Sequence, residues 1–198
     1  MGVEVVILTY TNRKGVEHYL HVRKTKAGKE RFYFSSKPKG PFCDRVPDGY
    51  EIHESPNGRV SLRRKRESLV TDEELKTVEN GLRRFTSLRP YQYKTDHDRS
   101  SITVLLLDPD LEQAVPKLRP DLAGDHEYLS DLAAKLGTYT AMMRFSLADA
   151  EKRSFQAERF CFMGGIDDWI PIGPEGPLVF LAGKFVKHLG KESFYELD

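Results

Sequence analysis

The chain has 198 residues, of which 39% are hydrophobic and 31% are charged, and its 31 Lys and Arg nearly balance its 30 Asp and Glu. This length is enough for a packed core, and the hydrophobic fraction, with 11 Phe and 9 Tyr, excludes wholesale disorder. No stretch approaches the roughly 20 consecutive apolar residues of a membrane-spanning helix, so we expect no membrane partner.

Motifs for cofactors and covalent catalysis are missing from the sequence. Cys43 and Cys161 lie far apart and neither belongs to a CxxC pair, so we expect neither a disulfide framework nor a cysteine-bound zinc ion. No glycine-rich phosphate loop, nucleophile elbow or signal-peptide cleavage site is present. These patterns favour a cytoplasmic protein that uses no cofactor, and they indicate no catalytic residue.

The charges are distributed unevenly along the chain. Residues 1–70 contain 15 Lys and Arg against 8 Asp and Glu, a balance of +7, whereas residues 71–198 have a balance of −6. Such a separation acts on the choice of partner through the long-range electrostatic field, without determining the fold. A basic segment of this kind suits nucleic acid, or an acidic protein surface on another chain or on a second copy.

The first 70 residues predict short strands joined by turns. A turn over Pro56-Asn57-Gly58 pairs Ile52 with Leu62 and Glu51 with Arg63, which keeps the core and solvent faces of that hairpin apart. Gly58 then occupies the position that needs a positive φ angle. We expect strands over residues 3–10, 19–24, 31–35, 50–54 and 59–65.

From residue 71 onward the pattern changes to helices that alternate with hairpins. Thr71 and Glu74 form a capping-box pattern ahead of an apolar stripe that ends at Phe85. We expect further helices over residues 125–136 and 177–189, hairpins around residues 96–99 and 149–153, a loop over residues 108–124 and a break at Gly164 and Gly165.

These elements predict an α+β fold in which antiparallel hairpins alternate with three amphipathic helices and the N-terminal part is rich in β-strands. The chain would divide into a basic β-rich subdomain over residues 1–70 and a hairpin–helix body over residues 71–198. A single domain over residues 1–198 is the alternative organisation.

The strongest functional pattern is a mixture of basic and aromatic residues on the predicted N-terminal strands. Alternation directs Leu20, Val22, Phe32 and Phe34 to the core, which leaves their neighbours on the solvent side. Cations neutralise phosphates and rings stack on bases, so this mixture predicts a non-catalytic protein that binds nucleic acid. The same pattern also occurs on ordinary sheet faces, where charges prevent aggregation. The predicted binding residues are Tyr19, His21, Arg23, Arg31, Tyr33, Arg59, Arg63 and Lys65.

Two alternatives remain open from the sequence alone. The basic face could instead dock an acidic protein surface, which would make the chain a protein–protein interaction module or a self-associating protein. A metal-dependent hydrolase is the further alternative, with Asp96, His97 and Asp98 near Asp108 as candidate ligands or bases. Aspartates also close turns by bonding their own backbone, which is the commoner role.

Three segments resemble an uncharacterised bacterial family of hypothetical proteins. They are the closing segments Ile166-Asp167-Asp168-Trp169-Ile170 and 187–195 (KHLGKESFY), together with residues 50–63. The resemblance implies a bacterial, cytosolic origin, and it carries over no activity, cofactor or catalytic residue.

Overall fold

The computed structural model describes residues 7–162 and 167–197. The predicted strand residues 3–6 and the predicted break at Gly164 and Gly165 lie outside these ranges. None of the helices in the described ranges has the length and apolar character needed to cross a membrane.

The chain divides into two compact units. The first comprises the residues up to Arg66 together with Ala134–Leu136, and the second comprises Glu67–Ala133 and the residues from Gly137 onward. The regular secondary structure of residues 7–66 is all β-strand, and the second unit combines helices with one large sheet.

The first unit contains a three-stranded antiparallel sheet and a separate hairpin. The sheet has the order β1-β2-β3, and the hairpin pairs β4 with β5. The tight turn between β1 and β2 ends at Gly15, whose backbone N–H donates to Asn12 O at 2.8 Å. The strands are β1 (Thr9–Thr11), β2 (Glu17–Lys24), β3 (Glu30–Ser35), β4 (Tyr50–Glu54) and β5 (Val60–Arg64).

The predicted register of the β4–β5 hairpin is confirmed. Ile52 lies opposite Leu62 and Glu51 lies opposite Arg63. Gly58 has a φ angle of 77°, a left-handed conformation that glycine adopts without the steric cost of a Cβ atom. The turn before β2 packs against this hairpin, because the Asn12 side-chain amide donates to Gly58 O at 2.7 Å. Local turn chemistry therefore fixes both the hairpin and its attachment to the unit.

From residue 67 onward the described chain forms four α-helices and six strands. The strands build an antiparallel sheet of order β10-β9-β8-β7-β6, and β11 also pairs with β9. The elements are α1 (Asp72–Phe85), β6 (Tyr93–His97), β7 (Ser101–Leu107), α2 (Asp110–Leu118), α3 (His126–Leu136), β8 (Tyr139–Asp149), β9 (Ser154–Phe162), β10 (Asp167–Pro171), β11 (Gly176–Pro177) and α4 (Leu178–Phe185).

The main core lies between this sheet and the helices α1 and α4. Leu82 and Leu181 belong to the same buried cluster as Phe145 and Phe155 of the sheet. The two helices approach closely at Gly81, where an added Cβ atom would lie 3.3 Å from the Cβ atom of Ala182. A second buried cluster includes residues of α2 and α3 with the ends of β7 and β8. The fold is therefore α+β, as the sequence predicts.

The capping box that the sequence predicts at the start of α1 is present. The Glu74 backbone N–H donates to Thr71 Oγ1 at 3.3 Å, and the Thr71 backbone N–H donates to the Glu74 carboxylate at 2.9 Å. The Arg153 guanidinium also donates to the Glu74 carboxylate, so this cap is joined to the turn between β8 and β9.

One helical prediction is wrong. The expected loop over residues 108–124 contains α2, because Pro109 stands at the helix N-cap and Pro116 lies in the last turn, where a lost N–H costs only one hydrogen bond. Phe85, predicted for the apolar stripe of α1, is the last residue of that helix and is 42% exposed. The fourth helix, α2, is thus the main departure from the predicted architecture.

Candidate functional site

The register of β2 and β3 places five of the eight predicted binding residues on one face of the N-terminal sheet. Tyr19 pairs with Ser35, His21 pairs with Tyr33 and Arg23 pairs with Arg31. Alternate residues of a strand project to the same side, so all of these side chains share one face. The apolar residues Leu20, Val22, Phe32 and Phe34 occupy the other face, as the alternation predicts.

Four rings follow one another across this face, and we call Tyr19, Phe42, His21 and Tyr33 the ring row. The centroid of Phe42 lies 5.9 Å from that of Tyr19 and 5.0 Å from that of His21. The His21 ring in turn stacks on Tyr33, with centroids 5.2 Å apart and an interplanar angle of 14°. All three spacings are typical of favourable aromatic contacts.

Phe42 is the member of the ring row that sequence reasoning missed. It lies in the proline-rich connection between β3 and β4, which predicts only a loop. The connection nevertheless runs beside β2, where the Val22 N–H donates to Pro41 O at 3.1 Å and the Cys43 N–H donates to Leu20 O at 2.9 Å. Phe42 therefore forms an isolated bridge with His21, and its ring joins the face.

The predicted solvent exposure of His21 is wrong, because this residue is only 1% exposed. Tyr33 flanks its imidazole on one side and Phe42 on the other, and Gly40 approaches its edge. Neither ring nitrogen has a hydrogen-bond partner among the described residues. A buried polar group left without a partner costs about 1–3 kcal/mol, so this environment opposes the burial of His21.

The arginines at the end of the ring row carry uncompensated charge. The Arg23 guanidinium lies over the ring of Tyr33, 5.6 Å from its centroid, and Arg31 lies directly opposite Arg23. Among residues 7–162 and 167–197, neither arginine has an acidic group within 4.0 Å. Like charges at directly opposite positions destabilise a strand pair, and an anion bound between them would relieve this repulsion.

The three predicted cations of the β5 region differ in their ion pairing. Arg63 donates from Nε to the Glu51 carboxylate at 2.6 Å, so its charge is already partly neutralised. Arg59 and Lys65 are exposed, and the described chain contains no ion pair for either of them. β5 contacts β3, but the structure gives no ring contact between these three side chains and the ring row. The ring row with Arg23 and Arg31 is therefore the compact part of the predicted site.

An acidic residue lies at the opposite end of the ring row. The Tyr19 hydroxyl donates to the Glu17 carboxylate at 2.6 Å, and this hydrogen bond raises the pKa of Tyr19 above its ordinary value. Tyr19 therefore remains a neutral phenol throughout the physiological pH range. The face changes from a carboxylate beside Tyr19 to the guanidinium groups of Arg23 and Arg31, which have no ion-pair partner in residues 7–162 and 167–197.

The other face of the N-terminal sheet differs in charge. A cavity of about 360 Å³ lies there over the apolar side chains of Val22 and Phe32. Three carboxylates and a single arginine complete its wall, so its charge is unfavourable for a phosphate group. The lining includes Glu30, Asp44, Arg45 and Asp48.

The acidic residues considered for a hydrolase do not come together. Asp96 and His97 are consecutive in β6 and project to opposite faces, whereas the Asp98 carboxylate accepts hydrogen bonds from Ser101 within the turn. Asp108 lies beyond the far end of β7 and accepts from the Thr140 hydroxyl at 2.6 Å. No cluster of three or more His, Cys, Asp or Glu side chains suited to a metal ion occurs in the described ranges. The predicted cluster is thus not formed.

Comparisons of this chain with protein-family models, with curated proteins and with solved structures give no match. The resemblance to a bacterial family of hypothetical proteins therefore stays a prediction.

Proposed function

We propose that the N-terminal unit binds single-stranded nucleic acid through the ring row and the two arginines beside it. The observation that carries this proposal is the row of ring contacts on one sheet face, which leads to Arg23 and Arg31, neither of which has an acidic partner among the described residues.

Rings and cations supply the two kinds of contact that a single strand requires. Each unpaired base offers a π-face that stacks on an aromatic side chain, and this contact contributes about 1–3 kcal/mol per base with little sequence preference. Tyr33 is 38% exposed and so retains ring surface for such a contact. The guanidinium groups of Arg23 and Arg31 would take the neighbouring phosphates.

The overall charge of the unit favours the same class of ligand. Residues 7–66 contain 15 Lys and Arg but only 6 Asp and Glu. Of those six carboxylates, Glu54 and Glu51 pair with Arg13 and Arg63. Duplex nucleic acid is the less suitable ligand, because its bases are stacked on each other and present no free π-face to the ring row.

Charge reversal on the two faces of the sheet tests this proposal. We expect Arg23→Glu and Arg31→Glu each to weaken binding of a fluorescein-labelled oligothymidylate, measured by anisotropy, and to reduce the salt slope by about 0.7 per lost phosphate contact. Arg45→Glu is the matched control, since it makes the same charge change on the opposite face and should lower affinity much less. Equal losses in all three variants would contradict a site at the ring row.

A further inference from the structure

The segment of residues 40–43, which we call the strap, holds Phe42 in the ring row. It lies along β2 through the backbone hydrogen bonds of Pro41 and Cys43 described above, although it belongs to no strand. Its first residue, Gly40, has a φ angle of 134°, which residues with a Cβ atom rarely adopt. The strap therefore adds one ring to the row by means of a short irregular segment.

The closed strap leaves His21 in an unfavourable environment. The strap contributes Phe42 on one side of the imidazole and Gly40 at its edge, and both imidazole nitrogens are buried without a hydrogen-bond partner in the described chain. A side chain with two polar atoms is a poor choice for a position that a leucine or phenylalanine would fill at no such cost. The closed state therefore gives no reason for a histidine at this position.

The ring of Phe42 fills the position in the ring row between Tyr19 and His21. Its centroid lies 5.9 and 5.0 Å from theirs and its plane is tilted by 51° and 37° to them, in the same row that the proposed function assigns to base stacking. We infer that the strap covers a cryptic nucleobase subsite. When a single strand binds, Phe42 leaves the row, a base takes its place beside His21, and the imidazole nitrogens bond the base edge or the adjacent phosphate.

This inference rests on the proposed function and adds a gate to it. A site that is closed in most molecules lowers apparent affinity by the fraction that is open, so any change that opens the strap should tighten binding. His21 then acts only in the open state. The cost of burying its two nitrogens without a partner in the described chain raises the free energy of the closed state and so brings it close to that of the open state.

Removing the covering ring tests the subsite directly. We expect Phe42→Ala to bind the labelled oligothymidylate about tenfold more tightly than the unaltered chain, because the competing ring is gone. Phe32→Ala is the matched control, with the same truncation on the opposite face, and it should not tighten binding. Circular dichroism establishes that both variants retain their strand content.

A second variant opens the strap without removing a ring. A Cβ atom at Gly40 would lie 3.2 Å from His21 Nδ1, so Gly40→Ala should displace the strap and also tighten binding. Gly49→Ala is its control, because Gly49 also has a positive φ angle but no heavy atom within 4 Å of the added Cβ position. Tighter binding by Gly40→Ala alone supports the gate even if Phe42→Ala is poorly folded.

His21→Phe should change stability and nucleic-acid binding in opposite directions. Replacing the imidazole by an apolar ring removes the two unpartnered nitrogens, so we expect a higher melting temperature together with roughly fivefold weaker binding. If the unaltered chain binds but Phe42→Ala and Gly40→Ala bind equally well or more weakly, the gate is wrong and the proposed function stands. If neither the unaltered chain nor any variant binds, the proposed function fails and the subsite fails with it.

Discussion

The imidazole of His21 lies nearly parallel to the phenol ring of Tyr33, with centroids 5.2 Å apart. The two residues face each other across the β2–β3 pair, so the register of a single hairpin creates this stack. His21 is covered by the strap, whereas Tyr33 keeps more than a third of its surface exposed. Tyr33 is therefore the most exposed ring of the row.

Tyr33→Ala should weaken binding of a single-stranded oligonucleotide about tenfold, because one base loses its stacking partner. Tyr33→Phe keeps the ring and should bind almost as well as the unaltered chain. Tyr50→Ala is the matched control, since Tyr50 is similarly exposed in the same unit but lies outside the ring row. Anisotropy titrations of the three variants measure the effect, and equal losses for Tyr33→Ala and Tyr50→Ala would contradict specific stacking.

The acid stability of the first unit should depend on Glu54. Burial raises the pKa of this carboxyl group, but hydrogen bonds from the Arg13 backbone N–H, the Tyr10 hydroxyl and the Arg13 side chain outweigh it, and the pKa lies below its ordinary value. A carboxyl pKa lowered by folding contributes stability above the unfolded-state pKa, and this contribution is lost as the pH falls through the folded-state pKa.

We therefore expect the melting temperature of the unaltered chain to fall between about pH 5 and pH 3, and Glu54→Gln to reduce that fall. The variant should also be less stable at pH 7, because a neutral amide replaces the paired carboxylate. Scanning calorimetry at a series of pH values measures both effects. An unchanged pH profile in Glu54→Gln would show that Glu54 does not contribute to acid unfolding.

The sheet of the second unit contains a partly buried ion pair that should matter for stability. Arg144 donates two hydrogen bonds of 2.8 Å to the Glu158 carboxylate, which also accepts from the Ser146 hydroxyl. The Arg144 guanidinium lies over the ring of Trp169, 4.5 Å from its centroid. Burial raises the pKa of Glu158, and the bonds from Arg144 and Ser146 lower it below its ordinary value.

Arg144→Met should lower the free energy of unfolding by about 2–3 kcal/mol, because it leaves the Glu158 carboxylate without its charged partner. Arg119→Met is the control, since Arg119 and Asp121 form an ion pair that is more than half exposed, and its loss should change stability much less. Urea unfolding followed by Trp169 fluorescence compares the two. Similar losses in both variants would show that burial does not strengthen the Arg144–Glu158 pair.

The start of α1 offers a test of local stabilisation. Thr71→Ala removes the side chain that accepts from the Glu74 N–H and should cost about 1 kcal/mol of unfolding free energy. Thr71→Ser keeps the hydroxyl group and should cost much less. Thermal unfolding measures both variants, and equal losses would indicate that the capping hydrogen bond contributes nothing.

Elements determined by neighbouring residues could be predicted from the sequence. The alternation in β2 and β3 identified the shared face of Tyr19, Arg23 and Tyr33, and the Pro56-Asn57-Gly58 turn determined the pairing of Ile52 with Leu62. These features depend on strand periodicity and turn geometry, which act over a few residues.

Features that depend on distant parts of the chain could not be predicted. His21 is buried because Phe42, 21 positions later, pairs with it from a segment rich in turn-forming residues. The alternation of residues within β2 contains no information about the Phe42 ring that covers His21. The helix α2 was missed for a different reason. Its prolines indicate a loop when they are counted, but Pro109 stands at the N-cap, where no helical N–H is lost, and Pro116 removes only one hydrogen bond near the C-terminal end.

The most direct test of the proposed function is the binding of the unaltered chain to a labelled oligothymidylate as the salt concentration increases. We expect binding at low salt that weakens linearly in log–log form, with unlabelled single strands competing far better than duplex of the same length. Absence of binding at low salt, particularly alongside salt-sensitive self-association in light scattering, would contradict the proposal and favour a protein–protein interaction module.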